Sequence, residues 1–283
     1  SGWQTVEALQ RTGASIAAVV DPRMEAPASA QRTVDVPVFT GATITDTRGR
    51  LRLRSVTIKD RQGREQEITA DLLAMAGGWD PVVHLTSHLG HKPKWDERIL
   101  AFAPGDLPAH IDVAGAAAGR FGLDTALKDG ARAGSEAARS LGFRTTYAPP
   151  STSAALTSAS RAPSWRVAKL DAKSFVDFQN DVTAADIALA AREGYRSVEH
   201  AKRYTTLGMA TDQGKSSGVN GLAILADVTG RTIAETGTTT FRPPFTPVAI
   251  GAIAGRDVGK AFRPTRLTPT HEWASEQIAV FVA

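Results

Sequence analysis

Between Phe175 and Ser217 the chain carries two complete sets of helix start and stop signals in succession, and any fold it adopts has to accommodate them. Thr183 followed three residues later by Asp186 is a capping box, Ile187 and Ala190 form a narrow apolar stripe, and Gly194 is the stop. Ser197 then caps a second helix carrying Val198, Ala201, Tyr204 and Leu207 on one side, with Gly208 as its expected end. Two helices this short make a compact pair. Their leading loop, Asp177-Phe178-Gln179, and trailing loop, Asp212 to Ser217, are expected to converge in space.

The whole chain has 283 residues, 42% of them hydrophobic and 22% charged, enough for two domains with cores of their own. Its net charge of +4 comes from 33 basic and 29 acidic residues scattered without a dense run, so no nucleic-acid role is expected. No stretch approaches the roughly 20 apolar residues of a membrane span, and the first residues lack a secretory signal pattern. There is no cysteine, which excludes disulfides and fits a cytoplasmic protein.

The first part reads as α/β. Trp3 to Gln10 forms a helix stopped by Gly13, and Ser15 to Val20 is an apolar run expected to be a buried parallel strand ending at Asp21. Helix, strand and acidic tip are the second half of a dinucleotide-binding βαβ unit, with the first strand and its glycine turn expected upstream of Ser1. Asp21 is either a solvated loop residue or a ribose contact. Val36 to Ile44 reads as a further strand, and Leu51–Lys59 with Glu65–Thr69 as a hairpin about Asp60-Arg61-Gln62-Gly63. Leu72 to Ala76 is expected to be another buried strand. It runs into Gly77-Gly78-Trp79-Asp80-Pro81, where Asp80 and Pro81 would open a helix reaching Leu89.

A matching element lies at Ile111 to Gly134. An expected strand feeds Ala114-Gly115-Ala116-Ala117-Ala118-Gly119, after which Leu123-Asp124-Thr125 opens a helix rich in small residues towards Ser140. A helix N-terminus presents unpaired N–H groups, and the small residues let a pyrophosphate approach them, so Gly115, Ala118, Leu123 and Thr125 are candidate cofactor contacts. Tight helix packing is the alternative use of the same residues. His84 and His88, four apart, with His91 beyond, have the spacing of two zinc ligands but lack the glutamate of the usual motif, and packing histidines are the competing reading.

Arg144 to Trp165 is rich in Ser, Thr, Ala and Pro and reads as a linker. Gly221 to Asp227 suits a strand or a buried helix, a second helix is expected up to Glu235, and Thr236 to Gly251 combines three threonines, Arg242 and two prolines in a stiff, donor-rich loop suited to a phosphate or a partner surface. Lys260 and Arg263 follow as weaker candidates.

Two family resemblances add to this reading. The segment Gly77 to Pro81 resembles the small-small-Gly-x-x-Pro element of flavin- and nicotinamide-binding proteins of the disulfide-reductase type, which implies that Gly77, Gly78 and Trp79 pack on a dinucleotide. The helical pair resembles a module that holds a two-iron two-sulfur cluster in bacterioferritin-associated ferredoxins and some amine and opine oxidases. At its four cysteine positions this chain has Asp177, Gln179, Asp212 and Ser217, and without thiolates no cluster is built. The phrases FVDFQNDVT, KRYTTLGMATDQGK, TTTFRPPFTPVAIGA and RPTRLTPTHEW resemble the alpha-subunit family of heterotetrameric sarcosine oxidases from about Ala14 to Trp273.

That resemblance implies an incomplete, disulfide-reductase-like NAD domain at 1–143, a linker at 144–166, the cluster-free module at 167–220, a mixed α/β FMN or partner-interface segment at 221–262, and the start of an aminomethyltransferase-like folate domain at 263–283. It implies bound NAD, and an FMN shared with the beta subunit near Thr239 and Arg242. It implies beta, gamma and delta partners, FAD in the partner where sarcosine is oxidised, and electrons passing through FMN to oxygen to give glycine and hydrogen peroxide. The one-carbon unit would go to tetrahydrofolate beyond this chain, and no side chain here would be catalytic. Another amine or opine oxidase alpha subunit, or a non-catalytic NAD-binding fragment, would carry the same features.

Overall fold

The computed structural model describes residues 2–26, 36–149, 152, 163–167, 173–244, 246–256, 259 and 266–281. They fall into two compact units, one ending at Pro243 and one beginning at Pro244.

In the first unit, helix α1 (Gly2–Arg11) is followed by Gly13 at φ +80°, the left-handed conformation that glycine adopts without a Cβ clash. Strand β1 (Val19–Asp21) pairs in parallel with β2 (Val38–Thr40), and Trp3 packs with Ala26, Val19 and Val38 under this pair. The strand expected from Ser15 is thus only its last part. The strand expected over Val36–Ile44 is two strands, broken at Gly41, whose φ is +62°. Beyond that break β3 (Thr43–Arg48), β4 (Ser55–Lys59) and β5 (Glu65–Thr69) form an antiparallel sheet in the order β3-β4-β5. The hairpin turn expected at 60–63 is present, held by Asp60, whose carboxylate accepts from the Gln62 and Arg64 amides. Val56 and Ile58 point to the buried face of β4 and Lys59 to solvent, the alternation of a half-buried strand.

Two expected strands are absent. Leu72 to Ala76 has no strand partner among the described residues and is open to solvent, with Leu72 75% and Met75 85% exposed. Residues 111–114 are also not paired. An apolar run becomes a buried strand only between neighbours that take up its backbone N–H and C=O groups, and composition does not supply those neighbours. The helix expected from Pro81 is the short α2 (His84–His88), because Val83 rather than Asp80 stands at its N-cap. After it come the hairpin β6 (Lys94–Asp96) and β7 (Ala101–Ala103), a 3-10 turn over Gly115–Ala118, and α3 (Leu123–Ser140), which ends where the sequence placed it.

The helical module is the best-packed part of the chain. A short ribbon of β8 (Phe175–Asp177) and β9 (Val182–Thr183) leads into α4 (Ala184–Arg192), and then α5 (Val198–Thr205) and α6 (Gly218–Thr229) follow. The Thr183 hydroxyl accepts from the Asp186 amide while the Asp186 carboxylate accepts from the Thr183 amide, so the capping box is complete. Ser197 caps α5 through the His200 amide. That helix ends two residues earlier than Gly208 would have it, at Thr206 with φ +64°. Ile187, Ala190, Ala201, Leu207, Ile224 and Leu225 form the core, and Tyr204 lies outside it, stacked at 4.6 Å on Tyr195. Gly221 to Asp227 is helix, buried from Gly221 to Ala226. A second capping box, Thr232 with Glu235, starts α7 (Ile233–Thr236).

The second unit carries α8 (Ile250–Ala254) and α9 (His271–Glu276), with His271 against Phe281 at 4.4 Å. Among the described residues no helix is long and apolar enough to cross a membrane.

Candidate functional site

The two glycine-bearing segments of the first part come together. Gly119 sits at φ +76°, and a Cβ there would stand 2.8 Å from Ile99 Cδ1 and 3.7 Å from Pro81 Cγ, so the end of one segment lies against the end of the other. Around Gly77 and Gly78 a Cβ would meet nothing within 4 Å, leaving open, side-chain-free backbone beside an exposed Trp79. Gly115 is buried, Ala118 half-buried, and Leu123 and Thr125 are exposed on the first turn of α3. Its N-cap, Gly122, provides no side-chain acceptor for the amides of that turn. A flat ligand with an anionic link therefore fits the chemistry of this corner: open glycine backbone, an aromatic surface, and the positive end of an 18-residue helix.

Asp21 is placed differently from a free strand-tip acid. Its buried carboxylate accepts from the Trp3 indole at 2.9 Å and pairs with Arg23 at 2.6 Å. Burial alone would raise its pKa, but the hydrogen bonds from Arg23 and Trp3 outweigh it and hold the group below its ordinary value.

The loops at the ends of the helical module converge as expected, and three of the four side chains at the positions matched to cysteines, Asp177, Gln179 and Asp212, fasten them. Asp177, 2% exposed, accepts from the amides of Gln179 and Asn180 on one oxygen and of Gly208 at 2.8 Å on the other. Gln179 accepts from the Thr211 hydroxyl and the Asp212 amide across the two loops. Asp212 accepts from the Gly214 and Ser216 amides and the Ser216 hydroxyl. Ser217 is 1% exposed, and its hydroxyl has no partner among the described residues. In place of thiolates the loops hold acceptors that are already satisfied internally, so an iron-sulfur cluster does not fit here.

The threonine loop docks on this module. The Thr240 amide donates to Glu199 of α5 and the Arg242 amide to Gln213 of the trailing loop. Thr238, Thr239 and Phe241 line a cavity of about 50 Å³ together with Lys215, Gly208 and His84. Thr239 thus faces the cavity, whereas Arg242 lies outside its lining and is exposed. His84 stacks on Phe241 at a centroid distance of 3.8 Å. Burial, aided by the charges of Lys215 and His88, lowers its pKa to about 4, so the imidazole is neutral at physiological pH. Among the described residues no group of three or more His, Cys, Asp or Glu side chains is placed to hold a metal ion. Lys260 and Arg263 lie outside the described residues.

Sequence reading missed Lys215, which belongs to the trailing loop by position but reaches the threonine loop only through the fold. It also missed Asp129. This acid, in the middle of α3, reads as a solvated helix residue, yet it is buried and accepts from the Gly115 amide, Arg120 and Arg132. Burial would raise its pKa, but these donors together lower it to about 2. A hollow of about 690 Å³ along Ala126, Gly130 and Gly134 of α3 includes none of the expected cofactor residues.

The fold defines a class first. It is a mixed α/β arrangement shared with L-proline dehydrogenase from P. horikoshii, with a TM-score of 0.59 over 85% of this chain and 50% of that one at 21% identity. In sequence the chain is a relative, across its whole length, of sarcosine oxidase alpha subunits. It is 42% identical to the one from Rhizobium meliloti strain 1021 over 287 residues and 40% identical to the one from Corynebacterium sp. strain P-1 over 298. These alignments cover 100% and 99% of the chain but only 28% and 31% of the two relatives. Residues 171–256, spanning the helical module and the threonine loop, match the sarcosine oxidase A3 domain family.

Proposed function

We propose that this chain works as part of a sarcosine oxidase alpha subunit, in an assembly that oxidatively demethylates sarcosine with oxygen as acceptor. The observation that carries the reading is the similarity to those subunits along the entire chain. The part up to residue 143 holds NAD. Gly77, Gly78 and Trp79 lie along the dinucleotide, while Gly115, Ala118, Leu123 and Thr125 present the N-terminal turn of α3 to its pyrophosphate. Asp21 acts through Trp3 and Arg23, which orient it at the edge of that domain.

The threonine loop, with Thr239 and Lys215 towards the cavity and Arg242 on its rim side, contributes to an FMN seat completed by a beta subunit. The threonine hydroxyls and the Lys215 ammonium are the donor types a phosphate takes. Bound FMN would supply electron transfer between the partner's FAD and oxygen. This chain's residues bind and orient; none supplies a proton or a nucleophile to sarcosine. Gamma and delta subunits and a tetrahydrofolate-binding domain complete the assembly.

The test is gentle purification of the tagged protein from its host, with the absorbance spectrum recorded alongside sarcosine-dependent oxygen uptake with and without tetrahydrofolate. A flavin spectrum and sarcosine-driven uptake are expected. A colourless protein without partner subunits would sink the reading.

A further inference from the structure

The segment from Asp112 to Arg120 runs through the heart of the dinucleotide corner, yet none of it is held by strand pairing among the described residues. A single side chain takes over that task. Asp129 Oδ2 accepts from the Gly115 amide at 2.7 Å and from Arg120 at 2.7 Å, and its Oδ1 accepts from Arg132 at 3.1 Å. Both arginines reach back to the same segment: Arg120 donates to the Val113 carbonyl at 3.2 Å, and Arg132 pairs with Asp112 at 3.2 Å. Asp129 stands on α3 about one turn beyond Thr125 and under two beyond Leu123, so the same rigid element carries both the anchor and the first-turn amides.

The contacts form a mechanical line. The Asp129 carboxylate fixes the Gly115 amide, the 3-10 turn from Gly115 to Ala118 follows, and Gly119 ends that turn against Ile99 and Pro81. Pro81 in turn terminates the segment of Gly77, Gly78 and Trp79. Without the carboxylate, the Gly115 amide and two guanidinium groups lose their shared acceptor, and the turn loses its registration on α3.

We propose that Asp129 is the positioning residue of the dinucleotide corner: it clamps the Gly115–Gly119 turn between the N-terminus of α3 and the Gly77–Pro81 segment, and so sets NAD affinity without touching NAD. This rests on the NAD reading above. The test uses the purified 283-residue chain, with NAD binding followed by calorimetry and amide hydrogen exchange followed by mass spectrometry. Asp129→Asn is expected to weaken NAD binding at least tenfold and to speed exchange in residues 112–120 at least tenfold, while exchange in the helical module stays as it was. A purely structural role would instead raise exchange across the whole first unit.

Equal NAD affinity in the unsubstituted and Asp129→Asn chains would overturn the positioning role alone. Failure of the unsubstituted chain to bind NAD would overturn the reading it rests on. Where Asp129→Asn does not fold, Arg120→Gln keeps the carboxylate and the Gly115 bond, and an affinity loss of about threefold is expected; unchanged affinity in that variant would also overturn the proposal.

Discussion

The helical module and the stretch from Leu72 to Pro81 are both apolar and glycine-punctuated, yet one is a closed core and the other lies open. In the module the starts of α4 and α5 are specified by neighbours three residues away, and Ile187, Ala201, Leu207 and Ile224 find each other within some 40 positions. In the Leu72 stretch the side chains need a sheet on either side, and no described residue supplies one. Closure of the first depends on local chemistry, whereas closure of the second depends on company. A chain of this kind therefore carries its own folding unit next to a surface that is not self-sufficient.

The comparison can be broken at its strongest point. Ile224→Ala empties part of the module core and is expected to cost about 3 kcal/mol, read as a lower denaturation midpoint with hydrogen-exchange protection lost first in α4 and α6. Asp177→Ala removes one buried acceptor from three amides and is expected to cost about 2 kcal/mol. A midpoint unchanged by that substitution would mean that the loops do not depend on the carboxylate at all.

A smaller effect tests His84, which lies between the two regions in sequence and stacks on the threonine loop. Its folded pKa, about 4, is below the ordinary 6.5, so the unfolded chain takes up a proton that the folded one declines. This contribution is fully present above pH 6.5 and is lost as pH falls towards 4. His84→Gln should flatten the stability-versus-pH curve in that window, and an unaltered slope would place the imidazole in water. The smallest effect is expected at Met75. Met75→Ser should shift the midpoint of the chain alone by less than about 0.5 kcal/mol, because the side chain is 85% exposed. A large loss there would show that the Leu72 stretch is buried after all.

What was legible in the sequence follows the same division. Thr183 with Asp186, Ser197, Gly194 and the convergence of the two module loops could be read because capping is a matter of three or four adjacent residues. The end of α3 at Ser140 was readable for similar reasons. Strands at 72–76 and 111–114 were not, because a strand is defined by its partner and hydrophobicity alone does not name one. Thr206 in the left-handed conformation escaped notice because glycine is the residue that normally announces that geometry, and Gly208 stood two places further on. Of the site, the approach of Gly119 to Pro81 agreed with the pairing of the two segments, while the capture of Asp21 by Trp3 and Arg23 and the burial of Asp129 depend on side chains meeting across the fold.

The hydrogen bonds of Asp177, Gln179 and Asp212 carry one more consequence. A loop pair fastened by thiolates and iron comes apart under oxidants, chelators or scarcity of metal. This one is fastened by carboxylates and an amide, none of which has a redox couple or a lability to chelation. The closure of these loops consequently needs no assembly machinery for metal and depends on no redox-active bond.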